Sequence, residues 1–402
     1  MDRIPAEVWF EVFAYLDSWH FTALHKTSPF FRRFSQPFLH SHEHFRFYPY
    51  AGINAHLTRE FLLPNEPESR RIGRDLRLWT SDDVAPLVKE CTVSPDLSQA
   101  WWKGYTSCYG GDVLLYTFFE LLPRFTNIRK ISFFSLLFNQ LFVDALVSLP
   151  NLKEIGWWKC SVHQDVTAGS TLKVERLIFL AAGLVYSREK VVLYQGEIDG
   201  AQRWLSIVDN QLLTHVSLLS EHAIRALLGA DSPVFPNVAT LAVELDWLPR
   251  NIVALRRFPA VRNLRILTKL KTLPHRTGSC FPLLDMYHGP PEFLTLLDSR
   301  TALRRLHIDP CSPARVQHIL QSCTHTLRSV TVLVLSFDSL PTTAFPRIVV
   351  SFTALVDFRM QILLEPPSHS SFSPWQMYNS DRFSRSAPQM YTPKVHSLFF
   401  PT

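Results

Sequence analysis

Leu303-Arg304-Arg305-Leu306-His307-Ile308 is the stretch that decides how this chain folds. Side chains alternate between the two faces of a strand, so Leu306 and Ile308 point one way and Arg305 and His307 the other. The same apolar-x-x-apolar-x-apolar spacing recurs on both sides. Before it stand Ile128-x-x-Ile131-x-Phe133, Leu152-x-x-Ile155-x-Trp157, Val174-x-x-Leu177-x-Phe179 and Leu213-x-x-Val216-x-Leu218. Val238-x-x-Leu241-x-Val243, Val261-x-x-Leu264-x-Ile266 and Leu283-x-x-Met286 follow. After it come Leu327-x-x-Val330-x-Val332, Leu355-x-x-Phe358-x-Met360 and a closing Val395-x-x-Leu398-x-Phe400. Most first positions lie about 20 to 28 residues apart. One such unit cannot bury its own apolar face, whereas a stack of them buries a continuous one.

The period and the pattern resemble the leucine-rich repeat. The resemblance implies an irregular α/β solenoid, with a parallel sheet on the concave face and helices on the convex face. Phe142–Leu149 and Arg315–Gln321 read as helices returning the chain. Cys160 and Cys311 stand three residues after a third apolar position, where the family carries Cys or Asn, and read as structural. The resemblance places the residues between the apolar strand positions on the concave face. These are Lys130, Glu154, Trp158, Arg176, His215, Glu244, Arg265, Tyr287, Arg305, His307, Asp357 and Arg359. They form the candidate substrate face. Arg188–Asp209 reads as an insertion, Pro64–Arg74 as a surface loop, and Leu76-Arg77-Leu78-Trp79 as the start of an early irregular repeat within Asp75–Gly111. Glu365–Pro393, rich in Pro and Ser, reads as a long loop.

The opening residues differ. Pro5 suits a first helical turn, and Val8, Trp9, Val12, Phe13 and Leu16 follow at helical spacing over two adjacent faces. Phe21 and Leu24 give a short second stripe. Ser28 caps a third helix with Pro29 next, Phe30, Phe31 and Phe34 line it, and Pro37 is expected to end it. A segment of about forty residues barely supports its own core. Each large apolar side chain gains about 1.5–3 kcal/mol when buried, so the surplus seeks cover elsewhere. Ile4-Pro5-Ala6-Glu7-Val8, Val12-Phe13, Leu16-Asp17, Phe21-x-x-Leu24 and Thr27-Ser28-Pro29-Phe30-Phe31-Arg32 resemble the F-box, of the fungal type that carries degenerate leucine-rich repeats. Ile4, Phe21 and Thr27 depart from that family's usual Leu, Leu and Val. The resemblance implies docking on a Skp-type adaptor of a cullin-RING (SCF) ubiquitin ligase, with Ile4, Pro5, Val8, Phe13, Leu16, Leu24 and Phe31 as adaptor contacts or as the hook's own core. The expected order is an F-box over 1–45, a linker and irregular first repeat over 46–111, repeats over 112–364, and a Pro/Ser-rich loop with a possible strand over 365–402.

Composition narrows the function classes. The net charge is +6 and no basic block is interleaved with aromatics, so no nucleic acid is expected as partner. The six cysteines are far apart, no glycosylation sequon occurs, and Asp2, Glu7 and Glu11 break any apolar leader. A reduced cytoplasmic or nuclear protein is expected. Neither Ile131–Leu149 nor Leu327–Phe337 reads as a membrane span. No phosphate loop, GxGxxG, HExxH or GxSxG is present. His40-x-His42-x-His44 is the sharpest metal candidate, and a zinc hydrolase there is the remote alternative, but a solvated polar loop is the expectation. No metal, cofactor or catalytic residue is expected. The nearer alternative to a ligase subunit is a repeat scaffold working outside a ligase.

Overall fold

A computed structural model of the chain describes residues 4–47, 66–95, 113–180, 202–244, 254–267, 281–297, 303–337 and 352–362, together with Ile348 and apart from scattered positions inside those ranges. It divides into two compact units, Met1–Val234 and Phe235–Thr402. The expected terminal loop 365–393 and the closing Val395–Phe400 motif lie outside the described residues.

The first unit opens with three helices: α1 (Ala6–Phe13), α2 (Ser18–Thr27) and α3 (Pro29–Leu39). The Pro5 carbonyl accepts from Val8 N at 3.1 Å as α1 begins. Ser28 Oγ accepts from Phe31 N at 3.2 Å and caps α3 as expected. Pro37 does not end α3, which runs two residues further to Leu39. So close to the C-terminus the missing N–H removes one bond, and the His40 N–H still reaches Gln36 O at 3.0 Å.

Next come β1 (His42–Phe47), α4 (Glu66–Trp79), β2 (Glu90–Pro95) and α5 (Val113–Leu121). Then follow β3 (Lys130–Phe134), β4 (Leu137–Phe138), α6 (Gln140–Val147), β5 (Glu154–Trp158), β6 (Ser161–Val162), β7 (Arg176–Leu180) and β8 (His215–Leu218). The main strands pair in parallel in the order β1-β2-β3-β5-β7-β8, and β4 pairs with β6 in a second small ladder. The ladder therefore starts at His42, well before the expected repeat region. Three sequence readings are corrected here. His40–His44 is a strand entry rather than a loop, because Phe45 drops into the core and fixes the alternation. The segment expected to be a loop is helix α4 from Glu66 onward. Leu76–Trp79 is its last turn rather than the start of a repeat, with Ile72 and Leu76 buried one turn apart.

Aromatic stacking fills this unit's interior. Phe119 lies 3.9 Å from Phe142, and Trp157 3.7 Å from Trp204. Trp204 sits on a short helix over 202–207, so part of the supposed insertion is a return segment that completes a repeat. Residues 188–200 lie outside the described residues.

The second unit holds β9 (Thr240–Glu244), β10 (Asn263–Leu267), β11 (Met286–Gly289), β12 (Arg305–Cys311), α7 (Pro313–Ser322), β13 (Val332–Phe337) and β14 (Asp357–Ile362). Its six strands pair in parallel in chain order. In both units one carbonyl before a strand accepts from two consecutive N–H groups of the next repeat. Arg262 O takes Asp285 N at 2.8 Å and Met286 N at 2.9 Å, and Asp285 O takes Arg304 N and Arg305 N at 2.8 and 3.0 Å. This repeated contact locks the register more firmly than the apolar pattern does.

Two repeats are therefore corrected in register. The core positions are Leu284-x-x-Tyr287-x-Gly289, one residue later than Leu283-x-x-Met286, and Val330-x-x-Leu333-x-Leu335, three later than Leu327-x-x-Val330-x-Val332. Leu283 is exposed instead. Cys160 and Cys311 are buried.

Candidate interaction faces

Helix α1 has two apolar faces with different fates. Trp9 and Phe13 turn toward α3, with Trp9 5.3 Å from Phe31 and Phe13 5.7 Å from Phe38. Phe13 also meets Phe21 of α2 at 5.8 Å and is 1% exposed, so it belongs to the hook's own core rather than to a contact surface. Leu16, Leu24 and Phe31 are half-buried, and Pro5 is exposed. Ile4, Val8 and Val12 recur every fourth residue and are 46, 48 and 45% exposed. Tyr15 and Trp19 continue the exposed apolar surface beyond the helix end. Glu7 and Glu11 are exposed on the same helix. Val12 and Trp19 were not among the expected contacts. Spacing alone could have found Val12, which stands in line with Ile4 and Val8.

On the strand face of the first unit the residues before each core position line up as one rung: His42, Glu90, Lys130, Glu154, Arg176, His215. Charges alternate along it. His42 Nδ1 lies 3.3 Å from Glu90, Lys130 Nζ 2.6 Å from Glu154, and Arg176 3.4 Å from the other oxygen of Glu154. Burial and the neighbouring Arg176 push the His215 imidazole below the usual histidine range. On the next rung Gly156 stands between Ser132 and Ile178. A Cβ there would lie 2.9 Å from Trp158 Nε1, so Trp158 lies across the glycine and stacks on Phe134 at 5.6 Å. His42 Nε2 also meets Thr92 Oγ1 at 3.1 Å, His44 Nε2 meets Ser94 Oγ at 2.7 Å, and His40 meets Glu43 at 2.7 Å. Each ring of the histidine run is thus engaged by a different neighbour.

On the second unit Arg265, Arg305, His307, Asp357 and Arg359 lie on the strand face as expected, and Glu244 is exposed at the end of β9. Tyr287 does not. It is fully buried, its hydroxyl donates to Pro290 O at 2.7 Å, and burial with Asp309 and Glu292 nearby holds its phenol well above the usual range. The one-residue register error put it on the wrong side, and His288 takes its place on the face. His288 stacks on His307 with ring centres 3.8 Å apart and 8° between planes, and its Nε2 sits 3.0 Å from Asp309 Oδ1. Burial, then the adjacent His288, pushes the His307 imidazole down to about 4.

Among the described residues no helix is long and apolar enough to cross a membrane. No family model matches the chain, and no curated protein resembles it in sequence. Among solved structures it is similar to the leucine-rich repeat-containing protein LegL7 from Legionella pneumophila, at 11% identity and a TM-score of 0.36, over 82% of this chain and 94% of that one. The class is defined by the chain's own parallel ladder and its repeated register: a leucine-rich-repeat-like α/β protein with an N-terminal helical hook.

Proposed function

We propose that this protein is a substrate-recruiting subunit of an SCF-type ubiquitin ligase. The hook docks on a Skp-type adaptor, and the strand faces hold a target protein. The observation that carries this reading is the stripe of Val8 and Val12, with Ile4 just ahead of the helix: apolar, regular and facing solvent beside a face that is already packed on α3. Covering such a stripe with a partner's apolar groove is the usual way an amphipathic helix binds. The F-box resemblance of the same residues names the partner class. The protein catalyses nothing itself in this reading. It works by raising the effective concentration of the target near the charged ubiquitin carrier. Affinity purification of the full chain tests it. Co-recovery of a Skp-type adaptor and a cullin is expected, and loss of both in a Val8→Glu/Val12→Glu variant that keeps its melting temperature. Recovery of proteins through the strand faces with no cullin in any preparation points instead to a scaffold outside a ligase.

A further inference from the structure

We propose that Tyr15 and Trp19 complete the docking surface of the hook, with Trp19 as the anchor that decides which adaptor the hook accepts. This rests on the docking function proposed above.

Neither residue stands at a position that carries the F-box resemblance, so the resemblance assigns them no role. At 79 and 72% exposure they are nevertheless the two most exposed large apolar side chains among the described residues. Ile4, Val8, Val12, Tyr15 and Trp19 follow one another at steps of four, four, three and four residues. Such steps keep side chains on one side of a helix. Helix α1 stops at Phe13, but the winding continues, with Tyr15 N reaching Val12 O at 3.2 Å and Leu16 N reaching Phe13 O at 3.0 Å.

Trp19 then stands in the first turn of α2. Phe21, two residues on, is 5% exposed and stacks on Phe38 at 4.9 Å. Side chains two apart on a helix point to opposite sides, so Trp19 faces away from the hook's core. The His20 ring meets the indole edge-on, 5.5 Å away at 83°, and braces it.

Area shows why the aliphatic stripe needs these rings. A contact that holds two proteins together covers about 800 Å² on each of them. Val8, Val12 and Ile4 are small and already about half covered, so they supply a minor part of it. A whole aromatic side chain covers about 150–250 Å². The exposure of Tyr15 and Trp19 leaves roughly 110–200 Å² of each ring for a partner. Tryptophan and tyrosine also dominate the residues that carry binding energy. The partner that fits has an apolar groove for α1, ending in a flat-walled pocket for the indole, with a polar group in reach of the Tyr15 hydroxyl. An adaptor without that pocket leaves the indole in water and is discriminated against.

Calorimetric titration of a purified Skp-type adaptor into the full chain is the test, with melting temperatures taken alongside. Trp19→Ser is expected to weaken binding about thirty-fold, the effect of an anchor residue, without changing the melting temperature. Trp19→Gln, a better helix former, stands in if the serine variant melts early. Trp19→Phe keeps a ring for the pocket and recovers most of the loss. Val356→Ser, at an equally exposed apolar position of the second unit, stays within about two-fold of wild type. Equal weakening by Val356→Ser would overturn the anchor, because the loss would not depend on place. Wild-type affinity in Trp19→Ser, with binding abolished in Val8→Glu/Val12→Glu, overturns the anchor and leaves the docking function standing. A wild type that never binds the adaptor overturns both. A dimer in sedimentation that Trp19→Ser turns into a monomer gives the surface to a second copy of the chain and overturns the adaptor pocket.

Discussion

Gly289 shows how one residue sets a repeat. It occupies a core position where other repeats carry a bulky apolar side chain, at φ +154°, and a Cβ there would lie 2.7 Å from the Tyr287 hydroxyl and 2.9 Å from Ile266 O. The repeat fills its core with the tyrosine ring, which needs the neighbouring space. Gly289→Ala is expected to cost about 2–3 kcal/mol, since neither the backbone nor the hydrogen-bonded phenol can give way. Urea unfolding of wild type and variant measures it. His307 carries a pH dependence whose sign is fixed. Its folded-state pKa, about 4, lies below the 6.5 of an unfolded histidine, so between those values the unfolded chain binds the extra proton. Stability from this group is full above pH 6.5 and is lost as pH falls toward 4. Because the ring is partly exposed, the loss at pH 5 is on the order of 1 kcal/mol. A His307→Gln variant should have a flatter melting temperature between pH 7 and pH 5. Neither feature was legible in the sequence. Met286 and Tyr287 are both apolar enough for a core position, and only the double N–H contact at Arg262 O decides between them.

At the scale of elements, the sequence read most truly where periodicity and capping agreed. Ser28-Pro29 announced α3, and the apolar positions of β3, β5, β7, β8, β9, β10 and β12 were found in the right phase. It failed where polar residues dress a real element. His40–His44 looked like a solvated loop because of its alternating histidines, and Pro64–Arg74 looked like a surface loop because of its prolines and charges, although β1 starts at His42 and α4 at Glu66. Ser28→Ala removes the bond to Phe31 N and should cost about 1 kcal/mol, read as earlier loss of the hook's helical signal on heating. In the second unit the short 3-10 helix Pro291–Leu296 is tied to α7 by the ion pair of Glu292 with Arg315. Glu292 is 1% exposed, so Arg315→Met strands a buried carboxylate and should cost about 3 kcal/mol. Replacing both, Glu292→Met with Arg315→Met, should recover much of that loss, a double-mutant cycle in chemical denaturation being the check.

At the scale of the whole molecule, the proposed function divides two tasks, giving the target to the solvated polar strand faces and the adaptor to the helical hook with its unpacked apolar stripe. The first unit's rung is already neutralised by its own ion pairs. The division into repeats and hook was visible in the sequence, because the two carry distinct periodicities. Which strand residues are already paired with one another was not, because that depends on cross-strand pairs between residues some twenty positions apart. The claim most exposed to refutation is that the α1 stripe is a docking surface. Calorimetric titration of a purified Skp-type adaptor into the full chain, beside Val8→Glu/Val12→Glu, tests it directly. The account predicts saturable one-to-one binding by the wild type, and its loss in a variant that melts at the same temperature. Binding that survives the double substitution, or a wild type that never binds the adaptor, would contradict it.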